Sequence, residues 1–136
     1  MRALGVDVGT VRVGTALSDP TGTVATPLTT LAGGEGLAGR LVELARAHGC
    51  DAVVVGLPRA LSGRDTDSTR LARAVADELR AAGVRVELWD ERLSSVEAER
   101  VLVGANRRRG QRRRERDRLA AAIVLQGWLD ARRREG

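Results

Sequence analysis

The sequence predicts an α/β fold built on a mixed five-stranded sheet, with three antiparallel strands followed by two parallel strands and helices on the flanks. Three observations predict it. Apolar residues alternate at period two near the start of the chain, which is typical of strands with one apolar face. A continuous apolar run near the middle is typical of a strand covered on both faces. Segments with apolar residues at helical spacing alternate with the later strands.

The first three strands are expected to be antiparallel. Residues 3–8 and 11–18 both alternate, and only a Gly-Thr pair separates them, so they should form two adjacent strands joined by a tight turn. The third extended segment, 23–28, contains Pro27. Proline cannot donate a hydrogen bond to a neighbouring strand, so we expect this segment at an edge of the sheet.

Helices and strands alternate in the middle of the chain. Residues 35–48 carry leucines at helical spacing, and 52–56 form the continuous apolar run. A second helix is marked by apolar residues between 71 and 79, and 84–89 should form the last strand. A helix that connects two buried strands makes them parallel.

The last part of the chain predicts a short helix, a loop and a long helix. Ser94 and Glu97 match a capping box, so a helix should run from there to about 103. An exposed Arg-rich loop is expected at about 104–116, and 118–132 should form a helix that is apolar round most of its circumference and therefore buried. The complete order of elements is that of a ribonuclease H-like sheet.

Composition predicts a single domain over residues 1–136 without a membrane span. The chain is 43% apolar and 30% charged, and no window approaches the roughly 18 uninterrupted apolar residues that a span needs. Cys50 is the only cysteine, so it has no partner within the chain for a disulfide. We expect a buried thiol and a reducing compartment.

Positive charge is concentrated in one segment. Residues 104–118 contain eight arginines and two acids, a net charge of +6, whereas the whole chain carries +5. A local basic cluster is the electrostatic pattern of a phosphate-backbone contact. We therefore expect contacts to nucleic acid from Arg107, Arg108, Arg109, Arg112, Arg113 and Arg114.

Two acids are expected at the carboxyl edge of the sheet. Asp7 lies on the face of the first strand opposite Leu4 and Val6, and an unpaired aspartate in a central strand is costly. Asp90 and Glu91 follow the last strand directly, where open α/β sheets bind ligands, and either one can be the functional acid. The structural alternative for Asp7 is a carboxylate that is hydrogen-bonded at the turn after the first strand. The structural alternative for Asp90 or Glu91 is an ordinary surface turn.

A third acid, Asp117, begins the apolar stripe of the last helix. A helix turns by 100° per residue, so Asp117 lies on the same helix face as Ala120, Ala121, Val124 and Trp128. We therefore expect its side chain to point towards the core or a cleft. It would also lie in the first turn of the predicted helix, where the helix dipole alone favours an anion.

Three carboxylates at one edge would repel each other without cations. Mg²⁺ and Mn²⁺ prefer carboxylate oxygens, and a pair of such ions can clamp the attacking water and the leaving oxygen of a phosphodiester. The sequence therefore predicts a Mg²⁺ or Mn²⁺ site formed by Asp7, Asp117 and one of Asp90 and Glu91. Arg12 and Arg92 flank this site, and we expect them to contact the phosphates of the nucleic acid.

Four segments together resemble the YqgF-type pre-16S rRNA nuclease family, which is also described as Holliday-junction-resolvase-like. They are GVDVGTVRVGTALSD, VVVGLP with Gly63, DERLSSVEAERVL and DRLAAAIVLQGWLD, and they cover nearly the whole chain. The resemblance implies a ribonuclease H-like nuclease that uses divalent metal ions in the cytoplasm, in maturation of ribosomal RNA or other nucleic-acid processing. It also implies that Asp7, Glu91 and Asp117 are the catalytic, metal-binding acids.

The chain departs from this family at several positions. The family usually has lysine where Val11 stands, asparagine and aspartate where Ala60 and Ser62 stand, and a phenylalanine in a helix. Arg12 could replace part of the missing lysine's role. These departures motivate a second hypothesis, a catalytically weak module that binds nucleic acid.

Two further hypotheses concern the substrate and the class of enzyme. A Holliday-junction or branched-DNA resolvase of the same fold would act as a homodimer, whereas an enzyme that processes RNA ends can act as a monomer, and single-stranded DNA is a third candidate substrate. The residues 7–10 also resemble the phosphate-binding hairpin of actin-type ATPases. The length of the chain argues against that class, since those folds need two such lobes.

Overall fold

The computed structural model describes residues 1–93 and 109–135, with side chains in the last helix from Arg113 onward. The strands are β1 (Ala3–Val8), β2 (Arg12–Ser18), β3 (Ala25–Ala32), β4 (Ala52–Leu57) and β5 (Val86–Asp90). The described helices are α1 (Leu37–Ala47), α2 (Asp67–Ala81) and α3 (Arg109–Glu135), and a short 3-10 turn covers Glu91–Leu93.

The strands form one sheet in the order β3-β2-β1-β4-β5. β1 pairs antiparallel with β2, and β2 pairs antiparallel with β3. β4 pairs parallel with both β1 and β5. The predicted mixed sheet is therefore confirmed, and so is the edge position of the strand that contains Pro27. The carboxyl ends of β1, β4 and β5 lie at the same edge.

One face of the sheet packs against α1 and α2. Leu4 and Val6 of β1 and Val53 of β4 lie on this side, together with Leu41 of α1 and Leu79 of α2, and all five side chains are completely buried. This core explains the helical spacing of leucine in the two helices, because each helix buries one apolar stripe.

The other face is covered by α3. Ala3, Ala16 and Val54 of the sheet pack against an apolar stripe of the helix. The helix residues in this core are Ala120, Ala121, Ala122, Val124, Leu125 and Leu129, and Trp128 is packed against it. The predicted orientation of the Asp117 stripe towards the sheet is confirmed, and small residues at the contact allow close packing.

The predicted Arg-rich loop is wrong where the structure describes it. α3 begins at Arg109, so residues 109–116 are helical, and the helix ends at Glu135. Arginine is a good helix former, and each residue added to an existing helix gains a hydrogen bond, so the buried part of α3 can propagate back through the Arg-rich residues. Asp117 consequently lies well beyond the first turn, and the predicted dipole contact does not apply to it.

Two other predictions lie outside the described residues. They are the short helix from Ser94 to about 103 and the part of the predicted loop at 104–108. Within the described residues, the structure contains no helix with enough apolar length to cross a lipid bilayer.

Candidate active site

Asp7 is buried in the central strand on the face that α3 covers. It is 6% exposed and lies opposite Gly14 of β2 in the antiparallel register. Its neighbours Val6 and Val8 belong to the core on the other face of the sheet. The alternation in the sequence therefore placed Asp7 on the correct face.

Glu91 follows β5 directly and lies between the sheet and α3. It is 9% exposed. A Cβ atom on Gly56 would lie 2.9 Å from Glu91 Oε1 and 2.9 Å from Val124 Cγ2. The absence of a side chain at Gly56 therefore provides the space that the Glu91 carboxylate occupies beside α3.

The Asp90 carboxylate is bound by two arginines, Arg92 and Arg59. Its carboxylate accepts hydrogen bonds from Arg92 Nε and Nη2, the latter at 2.6 Å, and from the Arg92 main-chain N–H. Arg59 Nη1 lies 3.7 Å from Asp90 Oδ2. The hydrogen bonds from the Arg92 side chain lower the pKa of Asp90, although partial burial opposes them. Asp90 thus has basic partners, and Glu91 is the residue that lies towards β4 and α3.

Asp117 lies where α3 crosses β2. A Cβ atom on Gly14 would lie 1.8 Å from the Asp117 carbonyl oxygen, so the two main chains touch at this point. Because Gly14 is opposite Asp7 in the sheet, this contact determines how close Asp117 lies to Asp7. The Asp117 side chain is 18% exposed and accepts a hydrogen bond from Arg12 Nε at 2.8 Å.

The three predicted acids line one cavity of about 350 Å³. It lies at the carboxyl edge of β1, between the β1–β2 turn, α3 and the amino end of α2. The remaining lining residues are Val8, Gly9, Thr10, Val11, Arg12, Pro58, Ser68 and Leu71. Of the two acids that the sequence left as alternatives, Glu91 lines this cavity and Asp90 does not.

The acids form a loose group. Among residues 1–93 and 109–135, no three His, Cys, Asp or Glu side chains are close enough together to hold a metal ion. The chemistry of the donors nevertheless suits a hard divalent cation, because the carboxylates of Asp7 and Glu91 are buried beside a polar cavity. In Asp117 the Oδ2 atom already binds a guanidinium group.

The predicted nucleic-acid contacts have different positions. Arg12 lines the cavity of the acids and also a second cavity with Arg113 and Arg114, both of which are exposed. Arg92 is bound to Asp90. Two of the other predicted contacts, Arg107 and Arg108, lie outside the described residues. The remaining two, Arg109 and Arg112, belong to α3 but precede the part of that helix whose side chains are described.

The sequence interpretation missed the contribution of α2. Ser68 lines the cavity from the first turn of that helix. Thr66 caps the helix by accepting a hydrogen bond from the Thr69 main-chain N–H, and the Thr69 hydroxyl donates to the Pro58 carbonyl oxygen. These threonines precede the apolar residues from which the helix was predicted. The threonine cap ahead of Leu71 is the sequence signal for the start of α2 beside the site.

Comparison with known proteins shows the family. A relative from Anaeromyxobacter dehalogenans strain 2CP-C is 48% identical, over 97% of this chain and 98% of its own length. A relative from Pelotomaculum thermopropionicum is 41% identical, over 98% of this chain and 90% of its own. Both are named "Putative pre-16S rRNA nuclease".

Solved structures show the same fold. Thermus thermophilus RuvC matches with a TM-score of 0.59 at 17% identity, over 98% of this chain and 96% of that chain. The same protein in complex with a Holliday junction substrate matches with a TM-score of 0.57 at 18% identity and the same coverage. The predicted ribonuclease H-like fold is thereby confirmed. The family model described as RuvX, Holliday junction resolvase, matches residues 1–131, and the chain belongs to this family.

Proposed function

We propose that this protein is a divalent-metal-dependent nuclease that hydrolyses phosphodiester bonds in structured nucleic acid, with the ends of ribosomal RNA precursors as its substrate. The observation that carries the proposal is the single cavity lined by Asp7, Glu91 and Asp117. Membership of the family and the names of the curated relatives support the nuclease class and the RNA substrate.

Asp7, Glu91 and Asp117 would hold Mg²⁺ or Mn²⁺. When bound, these cations activate water and stabilise the negative charge that develops on the phosphate. Asp7 and Glu91 are fixed by burial in the sheet and beside Gly56. Asp117 is carried by a helix whose main chain rests on Gly14. Supports of this kind restrain the positions of the candidate ligands, which a metal site requires.

The arginines would bind the phosphates that flank the scissile bond. Arg12 lies between the acidic cavity and the cavity with Arg113 and Arg114. Guanidinium groups bind phosphate in a bidentate manner and carry no base information, so these contacts suit a substrate that is recognised by its shape. We assign residues 1–136 to one nuclease domain that acts in the cytoplasm, as monomer or homodimer.

A second candidate function is cleavage of branched DNA. The description of the matching family as a Holliday junction resolvase favours it. Contacts to phosphate alone serve RNA and DNA equally well, so the two candidates share the acids and the arginines and differ in substrate. A catalytically weak binding module is the outcome if the acids do not support turnover.

The deciding experiment is a cleavage assay in Mn²⁺, Mg²⁺ and EDTA with end-labelled structured RNA, single-stranded DNA and a four-way junction. Wild type is compared with Asp7→Asn, Glu91→Gln and Asp117→Asn. We expect cleavage that requires metal and is lost in all three variants while binding remains. Metal-dependent cleavage of the junction in preference to RNA would favour the second candidate. Binding without cleavage on every substrate would refute the nuclease.

A further inference from the structure

Arg12 is shared by two adjoining cavities. One contains the three acids, and the other, of about 390 Å³, is lined by Val11, Arg12, Thr30, Leu31, Ala32, Arg113 and Arg114. The lining of the second cavity contains three guanidinium groups and no acidic residue. Such a surface attracts a phosphate group, and it lies beside the acids rather than among them.

The ion pair between Arg12 and Asp117 competes with metal binding. Arg12 Nε lies 2.8 Å from Asp117 Oδ2. A divalent cation on the same carboxylate would face a positive guanidinium group at close range, and the two charges repel. The ion pair therefore weakens the binding of a cation to Asp117, and movement of Arg12 away from the carboxylate strengthens it.

Arg12 has an alternative partner within reach. Its side chain is 34% exposed, and it already lines the cavity of Arg113 and Arg114. A phosphate bound there would accept hydrogen bonds from Arg12 in place of the Asp117 carboxylate. A backbone phosphodiester carries one negative charge, as a carboxylate does, and its two unesterified oxygens can accept a bidentate pair of hydrogen bonds from a guanidinium group. The Asp117 carboxylate is bonded to Arg12 through Nε, so the exchange gives Arg12 an equivalent partner.

We propose that Arg12 couples substrate binding to metal binding. Without nucleic acid it holds Asp117 in an ion pair. When a backbone phosphate occupies the cavity of Arg113 and Arg114, Arg12 turns to that phosphate and releases Asp117 to the metal. This inference rests on the proposed function, since it assumes that Asp117 is a metal ligand. It assigns a flanking-phosphate subsite to the second cavity and a positioning role to Arg12.

The test measures Mn²⁺ affinity by electron paramagnetic resonance, with and without a DNA hairpin whose linkages are all phosphorothioates. In wild type, the hairpin should raise Mn²⁺ affinity. Arg12→Gln should bind Mn²⁺ about tenfold more tightly than wild type without the hairpin, because Asp117 is already released, and should gain little from the hairpin. The double variant Arg113→Gln with Arg114→Gln should keep wild-type Mn²⁺ affinity alone and lose the gain.

Arg118→Gln is the matched control, since it removes the same charge from the residue next to Asp117 without removing the ion pair. Thermal denaturation checks that every variant is folded, and Arg12→Lys, which retains the charge, serves if the glutamine variant does not fold. In Arg12→Lys the charge that competes with the cation remains, so the hairpin should still raise Mn²⁺ affinity.

Three results would overturn the proposal. They are equal Mn²⁺ affinity in Arg12→Gln and wild type without the hairpin, an equal rise in that affinity in Arg118→Gln and Arg12→Gln, and a full hairpin effect in the double variant or none in Arg12→Lys. In each of these the wild type still binds Mn²⁺ through Asp7, so the proposed function survives. Failure of wild type to bind Mn²⁺ in either state, or binding that Asp7→Asn does not weaken, would overturn the proposed function as well.

Discussion

Gly14 and Asp117 touch through their main chains, and a Cβ atom on Gly14 would lie 1.8 Å from the Asp117 carbonyl oxygen. The contact joins the second strand to the helix that carries the third acid. It also lies directly opposite Asp7 in the sheet. The spacing between two candidate metal ligands therefore depends on a glycine that has no chemical role of its own.

Gly14→Ala should destabilise the protein and displace Asp117. The added methyl group cannot be accommodated without moving α3, since the clash is with main-chain atoms. We expect a loss of about 3 kcal/mol or more in the free energy of unfolding and a fall in Tm of about 10 °C. Urea and thermal denaturation measure both. Gly39→Ala in α1 is the control, because nothing lies within 4 Å of its added Cβ and alanine favours a helix. Equal stability of the two variants would contradict this account of the contact.

Glu91→Gln and Asp90→Asn should have different effects on cleavage. Glu91 lines the cavity of the acids, whereas Asp90 is bound to Arg92 and Arg59. We expect Glu91→Gln to lower the rate of metal-dependent cleavage about 100-fold or more, as the loss of a metal ligand should exceed the loss of an outer partner. Asp90→Asn should retain most of the rate. Single-turnover cleavage assays measure both, and the reverse order would show that Asp90 is the functional acid.

Asp90 should contribute to stability in a way that depends on pH. Hydrogen bonds from Arg92 lower its pKa in the folded protein below the ordinary value. The contribution is therefore present above the unfolded-state pKa, near 3.9, and is lost as the pH falls through the folded-state pKa. Asp90→Asn should lower the free energy of unfolding by up to about 1 kcal/mol at pH 7. Urea denaturation across pH 2 to 7 should show the difference from wild type shrinking towards acid pH, and a constant difference would contradict it.

Cys50 should react slowly with alkylating reagents in the folded protein. Burial raises the pKa of its thiol to about 11, with Asp51 acting in the same direction and Arg2 opposing it. At pH 8 we expect alkylation by iodoacetamide to be roughly 100-fold slower than in urea, because so little thiolate is present. The raised pKa also stabilises the fold below the unfolded-state pKa, near 8.5, and this stability is lost as the pH rises towards 11. Mass spectrometry of the labelled protein follows the reaction, and equal rates in both states would refute the prediction.

Arg113 and Arg114 should contribute mainly electrostatic affinity for nucleic acid. Both are exposed and line the second cavity. The double variant Arg113→Gln with Arg114→Gln should bind a structured RNA more weakly and reduce the slope of log K against log salt by about 2. Fluorescence anisotropy in EDTA at several salt concentrations measures the slope. The matched control is Arg70→Gln with Arg80→Gln, since these arginines pair with acids on α2. An equal change in both variants would mean that net charge alone is responsible.

The sequence by itself determined the order of the elements and the direction in which two of the acids point. The missing N–H of Pro27 predicted the edge position of its strand. Hydrophobic periodicity is a local property, so it predicted the strands and the face of β1 that carries Asp7. The same reasoning at helical period oriented Asp117 towards the sheet. These predictions required only that each strand or helix bury its apolar side.

Only the tertiary structure decided how the site is assembled. Glu91 rather than Asp90 lines the cavity because Gly56 leaves space on one side and Arg92 binds on the other. The pair of Arg12 and Asp117 joins residues that are 105 positions apart. α3 begins at Arg109, and Thr30 of β3 donates a hydrogen bond to the Arg114 carbonyl oxygen in this part of the helix. Such features arise from contacts between distant segments, and no local pattern encodes a distance between two segments that meet only after folding.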